Sequence, residues 1–170
     1  TDQDNALVLR DGFVMPGLAA ITARLADALA QLGWPPCPGQ IMVTNPRWCA
    51  DAATFRDTQR DWVYGAAADG PMHLAIFFDA FAVAGDATLL AGLKDHLDRV
   101  VSDSDAFLAR FAAAADQFDE PTPWWSRLAR NADDRPFDLK KLGTFPIVHG
   151  VRALCLASGV REGDTATRIE

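Results

Sequence analysis

Asp2 and Asp4 stand two residues apart at the start of the chain, and Asp79 ends the apolar run His73-Leu74-Ala75-Ile76-Phe77-Phe78. In extended backbone, residues i and i+2 project from the same face. Two carboxylates placed that way can share a hard divalent cation. Mg²⁺ takes oxygen ligands and is usually held by one or two carboxylates plus substrate phosphates. Ions so held can activate an attacking hydroxyl and neutralise a leaving pyrophosphate. The D-x-D spacing alone is weakly specific here, because 20 of the 23 acidic residues are Asp and the pair Asp103 and Asp105 repeats it. Those two precede a helical pattern, where an N-cap and a first-turn charge account for them. Asp2 and Asp4 lead instead into Asn5-Ala6-Leu7-Val8-Leu9, which reads as a strand. Asp79, ending a buried run, would be costly without a partner. It could ligate a metal, take the proton of an acceptor hydroxyl, or cap the next turn, and the residues alone leave these open.

The elements that must position these side chains follow from the apolar periodicity. Leu7 to Leu9 reads as a short strand, followed by an Asp11-Gly12 turn. Leu18, Ile21, Leu25, Leu29 and Leu32 recur at three- and four-residue spacing, which predicts an amphipathic helix from Pro16 to Leu32 with Arg24, Asp27 and Gln31 facing water. Gly33 supplies its stop. Three prolines and a glycine within Trp34-Pro35-Pro36-Cys37-Pro38-Gly39 forbid regular structure. Ile41 to Thr44 reads as a short strand, Asn45-Pro46 as a turn, and Ala52 to Tyr64 as a helix. His73 to Asp79 reads as the best strand of the chain, short and nearly continuous, as a buried central strand would be. After Asp86 the spacing is helical: Leu89 to Val101, Phe107 to Ala115, a shorter helix around Trp124, Trp125 and Leu128, and Ile147 to Leu156 ended by Gly159. Strands before residue 85 and helices after it predict an α+β chain. Its parts are a mixed region over residues 1–85 and an all-helical bundle over residues 86–170.

Composition narrows the partners. A net charge of −7 without a Lys/Arg stripe argues against duplex nucleic acid. Three cysteines with no C-x-x-C fit neither a disulfide framework nor a zinc site, and they suit a reducing, cytoplasmic setting. No apolar run approaches the roughly 20 residues of a membrane helix, and no signal peptide is evident. A first strand without a preceding neighbour, and a helix beginning at the last residues, lead us to expect a segment of a longer protein.

Thr1-Asp2-Gln3-Asp4-Asn5-Ala6-Leu7 resembles the metal-binding segment of a bacterial nucleotidyltransferase family. That family is related to the N-terminal part of the PII-protein uridylyltransferases and often carries cyclic-nucleotide-binding and CBS modules. The same resemblance runs through Gly33-Trp34-Pro35-Pro36-Cys37-Pro38-Gly39-Gln40-Ile41-Met42, Asn45-Pro46-Arg47-Trp48, and Ile76-Phe77-Phe78-Asp79 with Gly85-Asp86. It continues into the family's helical substrate-binding domain at Asp138-Leu139-Lys140, Gly143, Pro146-Ile147-Val148, Arg152, Leu154, Gly159, Thr165 and Arg168. The resemblance implies a nucleotidyltransferase-type mixed sheet followed by a helix bundle. It also implies transfer of a nucleoside monophosphate from an NTP to a protein or small-molecule acceptor, with pyrophosphate leaving. Asp2 and Asp4 would hold Mg²⁺, or Mn²⁺ in its place, and Asp79 would be the third carboxylate. Two departures stand out: the Gly-Ser element that grips the triphosphate upstream of the aspartates is absent, and Phe81 occupies a position usually held by Arg.

Lys140, Lys141, Arg152 and Arg168 are candidates for an anion site, with Lys140 and Arg152 taken as cofactor-binding. The competing reading, helix-end charges and structural ion pairs, is the commoner use of such residues. His149 reads as a packed histidine, Trp124-Trp125 as core or interface, and Cys37 as buried packing. A catalytically silent regulatory module, signalling through its helical domain, is the alternative to the enzyme. A plain scaffold is a third reading. A homodimer through the helical domain is compatible with the sequence.

Overall fold

The computed structural model describes residues 2–113, 143–161 and 164–169. The chain divides into two compact units, Thr1–Asp61 with Ala82–Leu97 and Trp62–Phe81 with Asp98–Glu170. The described elements are β1 (Leu7–Leu9), α1 (Leu18–Gln31), β2 (Cys49–Asp51), α2 (Ala52–Tyr64), α3 (Gly70–Phe78), α4 (Ala87–Ser102), α5 (Asp105–Ala113), α6 (Phe145–Ser158) and α7 (Thr165–Ile169). The class is α+β, as the sequence predicts. The sheet consists of β1 and β2 in parallel, with Leu7 opposite Cys49, Val8 opposite Ala50 and Leu9 opposite Asp51.

In the first unit the core gathers Ile41, Met42, Val43, Trp48 and Phe55. The strand expected at Ile41–Thr44 does not form. The segment turns instead, with Asn45 N–H donating to Met42 O and Trp48 N–H to Asn45 O, both at 2.8 Å. Its apolar side chains still reach the core, so hydrophobicity alone marked burial rather than conformation. The strand that pairs with β1 is Cys-Ala-Asp, a sequence with weak β-propensity that tertiary pairing overrides.

Helix α1 forms where its periodicity predicts, with Arg24, Asp27 and Gln31 exposed as expected, but only part of its apolar stripe is covered. Thr22 and Ala26 are buried, while Ile21 and Leu25 are 46% and 48% exposed. The helix thus packs through Thr22 and Ala26, with Leu18 and Leu29 half-buried beside them, and leaves Ile21, Leu25 and Leu32 outward. Its end is set by Gly33, at φ 96°, with Trp34 N–H reaching back to Leu29 O at 3.0 Å. That six-to-one bond is a Schellman closure, and it needs a residue that tolerates the left-handed region. Helix α2 begins under two carboxylates: Asp51 Oδ1 accepts from Thr54 N–H at 2.8 Å and Asp11 Oδ1 from Ala53 N–H at 2.7 Å. Further along, Gln59 is fully buried, donating to Leu93 O and meeting His96 Nδ1 at 2.7 Å. His96 is therefore a core residue.

In the second unit, Gly70–Phe78 is a helix, not the predicted central strand. Gly70, Pro71, His73, Leu74, Ala75, Phe77 and Phe78 are all buried. A helix surrounded on nearly every side loses the 3.6-residue alternation that distinguishes it from a buried strand. Pro71 in its first turn suits a helix start. A Cβ at Gly70 would meet Trp62 O at 2.9 Å, so the helix start approaches that backbone more closely than any side chain permits. Arg110 on α5 donates to the carbonyls of Trp62, Val63 and Gly65 and closes the C-terminal end of α2. The N-cap of α5 is Ser104, whose Oγ accepts from Phe107 N–H at 3.2 Å, with Asp105 in the first turn. Asp103, expected as the cap, lies outside it. Helix α6 ends at Gly159 as predicted, at φ 69°. His149 is buried, with Nε2 2.7 Å from Phe111 O and its ring stacked on Phe145. The helix expected around Trp124, Trp125 and Leu128 lies outside the described residues.

Candidate functional site

The Asp2–Asp4 segment precedes β1 and is held by its intervening residues. Backbone N–H groups of Gln3 and Asn5 donate to Pro35 O and Ile41 O at 2.9 and 3.0 Å, and Leu7 N–H donates to Trp48 O at 2.8 Å. The Gln3 side chain, 3% exposed, donates to Ala26 O at 3.0 Å and Trp34 O at 2.7 Å. Its carbonyl oxygen accepts from Asn5 Nδ2 at 3.3 Å, and Asn5 Oδ1 accepts from Val43 N–H at 2.9 Å. With Gln3 turned inward, Asp2 and Asp4 are both exposed. The i, i+2 alternation inferred from the sequence is therefore present without a β-ladder at these residues.

Asp4 has a neighbour the sequence reading did not anticipate. Burial pushes the Cys37 thiol pKa up, and a hydrogen bond to the Asp4 carboxylate adds to the rise. Cys37, from the proline-rich loop, is buried as expected. The two exposed carboxylates offer hard oxygen donors on one side of an extended segment. That donor set suits a divalent ion whose other ligands are waters and phosphate oxygens. Among the described residues no group of three or more His, Cys, Asp or Glu side chains is placed to hold a metal.

Asp79 belongs to the second unit, at the C-terminal end of α3. Its Oδ2 accepts from Arg152 Nε at 2.8 Å and also from Arg152 Nη2, and its Oδ1 accepts from Arg168 Nη1 at 2.7 Å. The Arg168 side chain is fully buried, and its guanidinium lies 4.6 Å from the centroid of the Phe78 ring. One carboxylate thus ties α3 to α6 and α7. Arg152, a candidate for phosphate binding, directs its donors to Asp79, which is the structural ion pair weighed as its alternative. Lys140 and Lys141 lie outside the described residues. Phe81 is 76% exposed. Close to this cluster in sequence, Asp164 caps α7, accepting from Thr167 N–H at 3.0 Å and Thr167 Oγ1 at 2.7 Å.

Sequence reasoning missed Gln3 and Asn5 as organisers, and it named Arg168 as an anion-site or ion-pair candidate without its partner. The available signal for the first two was the alternation of carboxamides with carboxylates in Asp-Gln-Asp-Asn. For Arg168 no local signal existed, because its partner is 89 residues away.

The first unit is α+β and opens on the exposed Asp2 and Asp4, and the described elements of the second unit are helical. Residues 1–69 match the family described as "Putative nucleotidyltransferase DUF294", and residues 105–170 match its "Putative nucleotidyltransferase substrate binding domain". The chain belongs to this nucleotidyltransferase family. No curated protein and no solved structure matches it. Among the described residues no helix is long and apolar enough to cross a membrane.

Proposed function

We propose that this chain carries the metal-binding segment and the substrate-binding domain of a Mg²⁺-dependent nucleotidyltransferase of the PII-uridylyltransferase type. The supporting observation is the fixed, outward presentation of Asp2 and Asp4 in the segment matched to the family. Their carboxylates would hold the divalent ion, which when bound would supply charge neutralisation for the triphosphate. An acceptor hydroxyl, on a protein or a small molecule, attacks the α-phosphorus of an NTP. The new P–O bond forms as the bond to the β-phosphate oxygen breaks, the hydroxyl proton passes to water, and pyrophosphate leaves with its electron pair. Asp2 and Asp4 would be the protein ligands of that ion, and Mn²⁺ could replace Mg²⁺ in such an oxygen-ligand site.

A second reading, a regulatory module without catalysis, draws support from Asp79. A metal- or hydroxyl-directed role for this carboxylate requires its pairs with Arg152 and Arg168 to open. The two readings separate by isothermal titration of ATP and UTP with Mg²⁺, using protein that carries the family's Gly-Ser element ahead of Asp2. The enzyme reading expects metal-dependent binding that the double variant Asp2→Ala, Asp4→Ala abolishes. Equal binding, or none, in both proteins leaves the regulatory module.

A further inference from the structure

We propose that Gln3 and Asn5 are positioning residues for a divalent cation at Asp2 and Asp4, acting through a relay of carboxamides that fixes the backbone from which both carboxylates project. The inference rests on the reading that these two aspartates bind a metal. It goes beyond that reading by assigning the residues that determine affinity without touching the ion.

The need for such residues is geometric. Asp2 and Asp4 lie ahead of β1, so ladder pairing does not fix their backbone. A pair of carboxylates two residues apart converges on one ion only while the backbone between them stays extended. In this chain that conformation is imposed from residues 3 and 5. Gln3 uses both donors of its amide, on Ala26 O and Trp34 O, and its acceptor on Asn5 Nδ2. Asn5 passes the connection on to Val43 N–H. The segment is thus tied to the end of α1, to the chain just after it, and to the turn at residues 41–43.

The residue types fit this task. Each side chain must donate and accept, which a carboxamide does and a carboxylate, acting only as an acceptor, does not. A carboxylate at position 3 would face two carbonyl oxygens and place a third negative charge beside the pair. Neutral amides fix the ligands without adding to the charge the ion must balance. Partners that orient metal ligands in this way change affinity by about 10- to 100-fold when removed.

The test is titration of Mn²⁺ into the 170-residue chain, with the free ion followed by its electron paramagnetic resonance signal. Four proteins are compared with the wild type: Asp2→Asn with Asp4→Asn, Asn5→Ala, Asn5→Ser and Asn45→Ala. Asn45 makes two hydrogen bonds in the same unit, to Gln40 O and from Arg47 N–H, and none to the acidic segment, so it reports general loosening. Wild-type binding that vanishes in the double aspartate variant, weakens about 10-fold or more in Asn5→Ala, and survives in Asn45→Ala is the expected pattern. Asn5→Ser, too short to bridge Gln3 and Val43, is expected to weaken binding to the same degree and serves in place of Asn5→Ala should that variant fail to fold. Wild-type affinity in the Asn5 variants overturns the positioning role and leaves the metal site standing. Equal weakening in Asn45→Ala overturns it as well, because the loss then belongs to the fold. Absence of binding in the wild type, or binding unaffected by the aspartate changes, overturns the metal reading itself.

Discussion

Asp79 illustrates how one side chain can be anticipated in kind and missed in partner. A carboxylate ending a buried apolar run had to find a cation, and its cations are the guanidiniums of Arg152 and Arg168, 73 and 89 residues along the chain. Removing it withdraws the charge against which the Arg168 side chain is fully buried and the Arg152 side chain partly buried. Breaking a buried pair in this way costs about 3–5 kcal/mol. Asp79→Ala is therefore expected to lower unfolding stability by that order in urea denaturation. Asp79→Asn, which keeps one oxygen acceptor, loses less. An unchanged midpoint in Asp79→Ala would show that the cluster is not a structural tie. The Asp2–Asp4 pair was legible because its geometry needs only the two-residue alternation of extended chain. The contacts that hold it come from helix α1, the chain just after it and the turn at residues 41–43, 23 to 38 residues distant, which no local pattern encodes.

At the scale of elements, boundaries were legible where caps and stops are local. Helix α2 spans the predicted Ala52–Tyr64, and α6 stops at the predicted glycine. Helix α3 was misread because burial on most faces erased its period. The Asp-rich composition also acquires a role here. Asp51, Asp86 and Asp164 each accept from a threonine at or near a helix start, and those hydrogen bonds, from side chain and backbone, hold their carboxyls below the usual range. A depressed folded pKa contributes stability above the unfolded value, and that contribution is lost as pH falls through the folded value. Helix content should therefore hold from neutral pH down to about 4 and decline below it. In Asp51→Asn the α2 start should be less sensitive to acid, as circular dichroism across a pH series can check. Acid sensitivity equal to wild type would mean that this cap carries none of it.

At the scale of the whole molecule, fold class and family were legible from patterns spread along the chain, while the direction in which α1 packs was not. Periodicity identifies a helix with two faces, but it does not say which face its neighbours accept. Here Thr22 and Ala26 allow close approach, and the larger Ile21 and Leu25 lie outside. Charged substitutions at Ile21 or Leu25 should thus change stability by less than about 0.5 kcal/mol in this chain. Ala26→Leu, which adds volume to a packed position, should cost about 1–3 kcal/mol. Thermal melts of both sets check the orientation, and the opposite ranking would show that the leucine stripe is the buried face.

The parallel pairing of residue 7 with residue 49 has a consequence for the order in which the molecule assembles. Contacts between residues so far apart in sequence form only after the intervening loop has closed, so they lag behind local helix formation. Helix α1 can nucleate by itself, but the ladder must wait for the chain beyond it. During synthesis the acidic segment leaves the ribosome ahead of everything that holds it. It gains its fixed direction only after the turn at residues 41–43 and strand β2 have followed it out.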